Sequence, residues 1–256
     1  MPIFKPDTKL VKRVAPSPNH DPRKSRAARP DMIVLHYTGM KSAQAALERL
    51  CDPAAKVSSH YVVLEDGAIV QLVPEMRRAW HAGVSSWEGG TDNNSRSIGI
   101  EIVNPGHDFG YPSFPQKQID AVIALCRDIL RRRRIRMDRV FAHSDIAPAR
   151  KQDPGEKFPW RRLAAAGAGL WVKPVPIRAG DVLKTGSRGA AVRDLQKTIK
   201  AFGYGIAVTG RYDAATRDVV TAFQRHFRPA RVDGTADVST VRTLDALLTA
   251  RKALKS

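Results

Sequence analysis

Cysteine is scarce in this 256-residue chain, which has only Cys51 and Cys126. Two cysteines are too few for a disulfide scaffold, and each falls in an apolar helical pattern, so both are expected as buried free thiols. Long apolar runs are missing as well. No stretch approaches the roughly 20 apolar residues that a membrane helix requires, and the first thirty residues carry no apolar segment behind their positive charges, so neither a transmembrane segment nor a signal peptide is expected. Acidic residues are outnumbered, with 25 Asp and Glu against 43 Lys and Arg, a formal net charge of +18. A hydrophobic content of 43% supplies enough apolar mass for a core and excludes disorder throughout.

The charge is unevenly spread: +6 on residues 1–30, +4 on residues 31–177 and +8 on residues 178–256. Such a distribution points to attraction toward an extended anionic polymer, with nucleic acid the first candidate. The run Arg131–Arg134 follows an apolar stripe at Ile119, Val122, Ile123, Cys126, Ile129 and Leu130, spaced for one helix face. Arginines at a helix C-terminus complement its dipole, and no aromatic residue is interleaved for base stacking, so the run reads as a helix end rather than a nucleic-acid patch.

The segment Trp171 to Gly180, with two prolines, reads as an extended linker between two domains. Residues 1–17 read as a basic tail, 18–170 as one domain and 181–250 as a second. In the first domain, Met32 to Leu35 and Tyr61 to Leu64 are short apolar strands, and Ala68 to Val73 returns as a hairpin after the turn signal Glu65-Asp66-Gly67. Ser42 is a candidate N-cap for a helix over Ala43 to Cys51. Along Ser97 to Val103, Ile98, Ile100 and Ile102 alternate with Gly99 and Glu101, so a strand here sends Glu101 away from the isoleucines. With a helix over 116–130 and a strand at Val140 to Phe141, the fold class is α/β: a mixed central β-sheet flanked by helices. The second domain repeats itself. Gly210, Asp213 and Thr216 match Gly234, Asp237 and Thr240, each set preceding an apolar-periodic helix, and a further helix at Ala191 to Phe202 completes a small three-helix module.

Five of the seven histidines, His36, His60, His81, His107 and His143, lie in the central domain. His36 and His143 each end a strand, where a rigid sheet presents ligands. Asp153 lies ten residues beyond His143 on a proline-punctuated loop that could close a three-ligand site with His36. Two imidazoles and a carboxylate suit zinc and leave one position open for water, whose pKa zinc lowers to roughly 7. Glu101 could then take a proton and Lys151 could stabilise an oxyanion.

The segments Met-Ile-Val-Leu-His36-Tyr-Thr-Gly, Ser59-His-Tyr-Val-Val-Leu-Glu-Asp-Gly, Ala79-Trp-His81-Ala-Gly, Ser97-Ile-Gly-Ile-Glu101 and Ala142-His143-Ser-Asp-Ile-Ala-Pro-Ala-Arg-Lys-Gln-Asp153-Pro-Gly resemble the zinc-dependent N-acetylmuramoyl-L-alanine amidases of the type-2 family. The resemblance implies one Zn2+ per chain held by His36, His143 and Asp153, with Glu101 as acid/base and Lys151 steadying the tetrahedral intermediate. It implies hydrolysis of the amide between N-acetylmuramic acid, or its anhydro form, and the L-alanine of the peptidoglycan stem peptide. His60 falls in these motifs as a packed strand position. Trp80, His81, Asn93 and Arg96, in or beside a long loop with Trp87, are expected to contact substrate. Leu183-Lys-Thr-Gly186 through Gln196, with Thr209 to Asp213 and Phe223-Gln224, is similar to peptidoglycan-binding modules. The expected partners are therefore peptidoglycan or muropeptides and not nucleic acid, and the chain is expected to act as a monomer. A binding protein that recognises peptidoglycan without cleaving it is the alternative. The lack of a signal peptide favours the cytoplasm and the wall-binding module favours the periplasm or envelope. Deleting residues 178–256 is expected to spare cleavage of small soluble muropeptides.

Overall fold

A computed structural model describes residues 4–24 and 29–254. Short β-branched and apolar runs build its central sheet: β1 (Val11–Val14), β3 (Met32–Tyr37), β4 (Tyr61–Val63), β5 (Ile69–Gln71), β7 (Ser97–Ile102) and β8 (Val140–Ala142), in the order β1-β5-β4-β7-β3-β8. All neighbours are parallel except β4 and β5, which form the hairpin that the Glu65-Asp66-Gly67 turn predicts. A second small pair joins β2 (His20–Pro22) to β6 (Arg77–Ala79). The mixed sheet is flanked by α1 (Ala43–Cys51) and α3 (Gln116–Arg133), with short helices α2 (Asn93–Arg96), α4 (His143–Ile146) and α5 (Trp160–Ala165) along the loops. Ser42 caps α1, its side chain accepting from the Ala45 N–H.

The alternation in β7 decides what faces what. Ile98, Ile100 and Ile102 are fully buried in one core with Ile119, Val122 and Cys126 of α3, so Glu101 is left on the opposite face of the sheet. Cys126 is a buried thiol and Cys51 a half-buried one, both free.

Residues 4–17, expected in a tail, are part of this domain. Strand β1 pairs with β5 and so completes the sheet edge, Asp7 accepts from the Glu75 backbone N–H at 3.0 Å, and Ser17 donates from its buried hydroxyl to Leu50 O. The lysines and arginine interleaved in this stretch mask an edge strand as a polar tail, because an edge needs a buried side on one face only.

The C-terminal module contains α6 (Ala190–Phe202), α7 (Ala214–Phe227) and α8 (Val238–Ala253), with the short pair β9 (Val182–Leu183) and β10 (Ala236–Asp237). Its repeat has a physical basis. The buried Gln196 accepts from the N–H groups of Thr209 and Gly210 and donates to Thr216 Oγ1, and Gln224 does the same one repeat later with Asp233, Gly234 and Thr240. Asp213 and Asp237 cap the helices that follow.

The intervening segment does not hang free. Val175 bonds to both Ser239 and Thr243 of α8, and Trp171 and Val172 pack on the module's core. That core is shared with the first domain: Trp87 is fully buried, with its ring 4.3 Å from Phe141 and 5.1 Å from Tyr204. Arg251 adds ion pairs to Glu88 and Asp138. The loop expected as a substrate rim around Trp87 is thus, at that residue, a seam between the two domains.

Candidate functional site

The register of three parallel strands assembles the site. His36 pairs with Glu101, and Leu35 with Ala142, so His36, Glu101 and His143 stand side by side at the C-terminal ends of β3, β7 and β8. Ligands of open parallel sheets bind at that edge. The loop after His143 returns, held by a hydrogen bond from Ser144 N–H to Asp153 O, and delivers the Asp153 carboxylate.

His36 Nδ1 lies 2.9 Å from His143 Nδ1 and 3.1 Å from Asp153 Oδ2, and His143 Nδ1 lies 3.0 Å from the same oxygen. All three residues are buried. The surrounding hydrogen bonds fix what these atoms carry. Ser97 Oγ donates to Asn93 O and accepts from His81 Nε2–H, which leaves His81 Nδ1 to accept from His36 Nε2–H at 3.0 Å. His143 Nε2–H donates to Ala82 O at 3.1 Å. Each ligand imidazole, when neutral, therefore turns the lone pair of Nδ1 toward a shared point that also faces a carboxylate oxygen. Burial and the neighbouring His143 hold His36 down to about 4, and burial with the adjacent imidazoles His36 and His60 drives His81 well below its ordinary range, so both are neutral. Burial alone would raise Asp153, yet the two imidazoles beside it, His143 first and then His36, hold it far below the carboxylate range, so it stays a carboxylate. Three electron-rich atoms converging within 3.1 Å repel one another unless a cation lies between them. A tetrahedral zinc with bonds of about 2.0–2.1 Å spaces its donors by about 3.3 Å, so the set fits such an ion.

Glu101 is 9% exposed, and its Oε2 has no hydrogen-bond partner. Burial first, then the charge of Asp153, raises it well above the ordinary range, while Lys151 pulls the other way. Lys151, Glu101, the three candidate ligands and Arg150 line one cavity of about 390 Å³. A larger cleft of about 1020 Å³ lies across the molecule between Asp7–Leu10 and α3, and none of these groups lines it.

The other candidates are distributed differently. His81 is 6% exposed and reaches the cavity from beneath His36, its ring packed so close to Gly99 that a Cβ there would sit 2.5 Å from the imidazole. His60 is fully buried, its Nδ1 accepting from Gly99 N–H. Trp80, Asn93 and Arg96 are not brought to the cavity. Trp80 donates from its indole to Asp21, Asn93 is fully buried against Ser85, and Arg96 is held by Asp31 and the Trp87 carbonyl. Their polar groups are engaged in closing the 80–96 loop onto the sheet. Sequence reasoning missed Ser97, whose hydroxyl anchors the His81–His36 chain of hydrogen bonds. Its only signal is a small polar residue at the start of a strand that carries Glu101.

Residues 26–156 match the family described as N-acetylmuramoyl-L-alanine amidase, and residues 188–244 match a peptidoglycan binding domain. Over 245 residues the chain is 39% identical to the N-acetylmuramoyl-L-alanine amidase AmiD of Escherichia coli, covering 88% of this chain and 86% of that protein. A structure of that enzyme, in complex with the substrate anhydro-N-acetylmuramic acid-L-Ala-D-gamma-Glu-L-Lys, superposes with a TM-score of 0.73 at 37% identity, over 89% of this chain and 93% of that one. AmpDh3 of Pseudomonas aeruginosa, in complex with anhydromuramic pentapeptide, gives 0.72 at 33% identity over 87% and 92% of the two chains.

Proposed function

The chain belongs to the N-acetylmuramoyl-L-alanine amidase family, and on that premise we propose how its own residues divide the work of cleaving the amide between N-acetylmuramic acid, or its anhydro form, and the L-alanine of the stem peptide. It is an enzyme, and muropeptide or peptidoglycan is its partner. His36, His143 and Asp153 hold one zinc ion. When bound, zinc supplies Lewis acidity that acidifies water and polarises a carbonyl oxygen. The chain of hydrogen bonds from Ser97 through His81 to His36, and the one from His143 to Ala82 O, keep both imidazoles in the tautomer that offers Nδ1.

Glu101 moves the proton. Its buried carboxylate sits beside the ligands with one oxygen unpartnered, free to accept a proton from the attacking water and to return it to the leaving alanine nitrogen, a role worth roughly 10²–10⁴ in rate. The upward push on Glu101 makes it a stronger base than an exposed glutamate, and Lys151 opposes that push without overcoming it. Lys151 offers its ammonium to the oxygen of the scissile carbonyl as negative charge develops there. The single observation that carries this reading is the convergence of three buried donor atoms within 3.1 Å, with Glu101 alongside on the neighbouring strand.

The chain supplies every one of these groups itself, which supports action as a monomer. The basic module and murein's free stem-peptide carboxylates are of opposite sign, which supports retention on the polymer. Incubating the purified protein with anhydromuropeptide, with and without a chelator, should release free stem peptide only when zinc is present. No release after zinc is restored would leave a binding protein instead. Comparing turnover on anhydro and reduced muropeptides, together with cell fractionation, decides the preferred substrate and the compartment.

A further inference from the structure

The C-terminal module touches the loop that carries two of the three donors. Asp145, fully buried and two residues after His143, accepts from Ala142 N–H at 2.8 Å, which ties it to the end of β8. Its two side-chain partners both come from the module: Tyr204 Oη donates to Oδ1 at 2.7 Å, and His226 Nδ1 lies 2.6 Å from Oδ2. The His226 ring stacks on Trp160 of the first domain at 3.6 Å. Further along the same loop, Arg225 donates to the Gln152 side chain at 3.2 Å and lies 3.5 Å from Glu156. Gln152 stands between Lys151 and Asp153 in the cavity wall.

We propose that the module, besides binding peptidoglycan, is a positioning part of the metal centre: Tyr204, His226 and Arg225 hold the 143–156 loop at Asp145, Gln152 and Glu156, so that His143 and Asp153 meet His36 and Lys151 faces the scissile carbonyl. The inference rests on the reading of those three residues as metal ligands. A carboxylate as buried as Asp145 needs its partners, because an unpaired buried acceptor is costly. Both partners beyond its own backbone contact come from the second domain. A tethered anchor would need none of these contacts, since a flexible segment is enough to hold a catalytic domain near a polymer.

The test uses the full chain. Tyr204→Phe removes one donor and keeps the ring, His226→Gln removes the imidazole while keeping an amide donor, and the pair is combined; Lys197→Ala, on an exposed residue of α6 remote from the seam, is the control. Each protein is titrated with Zn2+ against a chromophoric chelator, its Co2+ form is recorded by visible absorption, and kcat and KM are measured separately on a soluble anhydromuropeptide. The expected result for the combined variant is metal affinity roughly tenfold weaker, a shifted cobalt band, and a lowered kcat with KM little changed. His226→Gln alone, which retains a donor to Asp145, should recover part of each. Should the combined variant fail to fold by circular dichroism, Arg225→Ala, at the margin of the seam, is read in the same three ways, with a lowered kcat expected. Unchanged affinity, cobalt spectrum and kcat in folded variants would overturn the proposal and leave the module as an anchor. Failure of the unmodified chain to take up zinc would instead overturn the ligand assignment, so the two failures are distinct.

Discussion

At the scale of single residues, much of the candidate site could be read before any coordinates were known. Strand ends and a proline-punctuated loop single out His36, His143, Asp153, Glu101 and Lys151, and the resemblance points to the same five; the structure places all five around one cavity. The supporting residues were not legible. Whether His81 touches substrate or a ligand depends on a hydrogen-bond chain that crosses from one loop to two strands, and no spacing in sequence encodes that. Its packing has a consequence for Gly99, where any Cβ would press on the His81 ring. Gly99→Ala should displace His81 and so release His36, and His81→Phe should do the same by removing the acceptor for His36 Nε2–H. For both variants, chelator competition should show zinc affinity weaker by about 10- to 100-fold. An affinity equal to that of the unmodified chain would mean that His36 is oriented without His81.

At the scale of elements, periodicity carried the helices and strands well: α1, α3, α6 and the two repeated helices, with β3, β4, β5, β7 and β8, all lie where apolar spacing and caps put them. Strand β1 was hidden, because an edge strand with basic residues has the composition of a tail. The arginine run was half-legible. It does end α3, but Arg132 and Arg133 do more than complement the helix dipole, since both pair with the fully buried Glu75, which also accepts from Tyr61 Oη. Burial would raise Glu75, but the hydrogen bonds from Arg132 and Tyr61 and the arginine charges outweigh it and hold the group below its ordinary 4.5. In acid the unfolded chain therefore binds a proton that the folded chain does not, so this stabilisation is complete above about 4.5 and is lost as the pH falls through the lower folded value. Glu75→Gln should cost about 1.5–3 kcal/mol at neutral pH by removing the charged acceptor that Arg132, Arg133 and Tyr61 share, while Arg132 keeps Asp128 and Arg133 keeps Asp7. Urea denaturation would show that difference narrowing as the pH falls below 4.5, and a constant difference would contradict the sign. In the module, Gln224→Ala leaves the N–H groups of Asp233 and of the buried Gly234 without their acceptor. It should lower stability by about 1–3 kcal/mol by the same measurement.

At the scale of the whole molecule, the net charge of +18 first suggests nucleic acid, yet only +4 falls on residues 31–177, which hold the site. The excess on the module matches a polymer that carries free carboxylates. Two domains were legible from the proline-rich segment and the internal repeat, but their union was not, because the seam is formed by residues far apart in sequence: Trp87 with Tyr204, Arg251 with Glu88, Asp145 with His226. That seam changes the expectation for truncation. Removing residues 178–256 would bare Trp87 and Phe141 and leave Asp145 without its side-chain partners, so the remaining domain should lose solubility and activity even on small soluble muropeptides; a truncated protein with full turnover on them would show the seam to be dispensable. Measuring bound zinc and turnover together in His36→Ala and Glu101→Ala tests most directly whether His36 holds the metal and Glu101 moves the proton. His36→Ala should lose both metal and cleavage, and Glu101→Ala should keep one zinc per chain while kcat on anhydromuropeptide falls by at least about 10². Equal zinc loss in the two variants, or undiminished cleavage in Glu101→Ala, would contradict this division of roles.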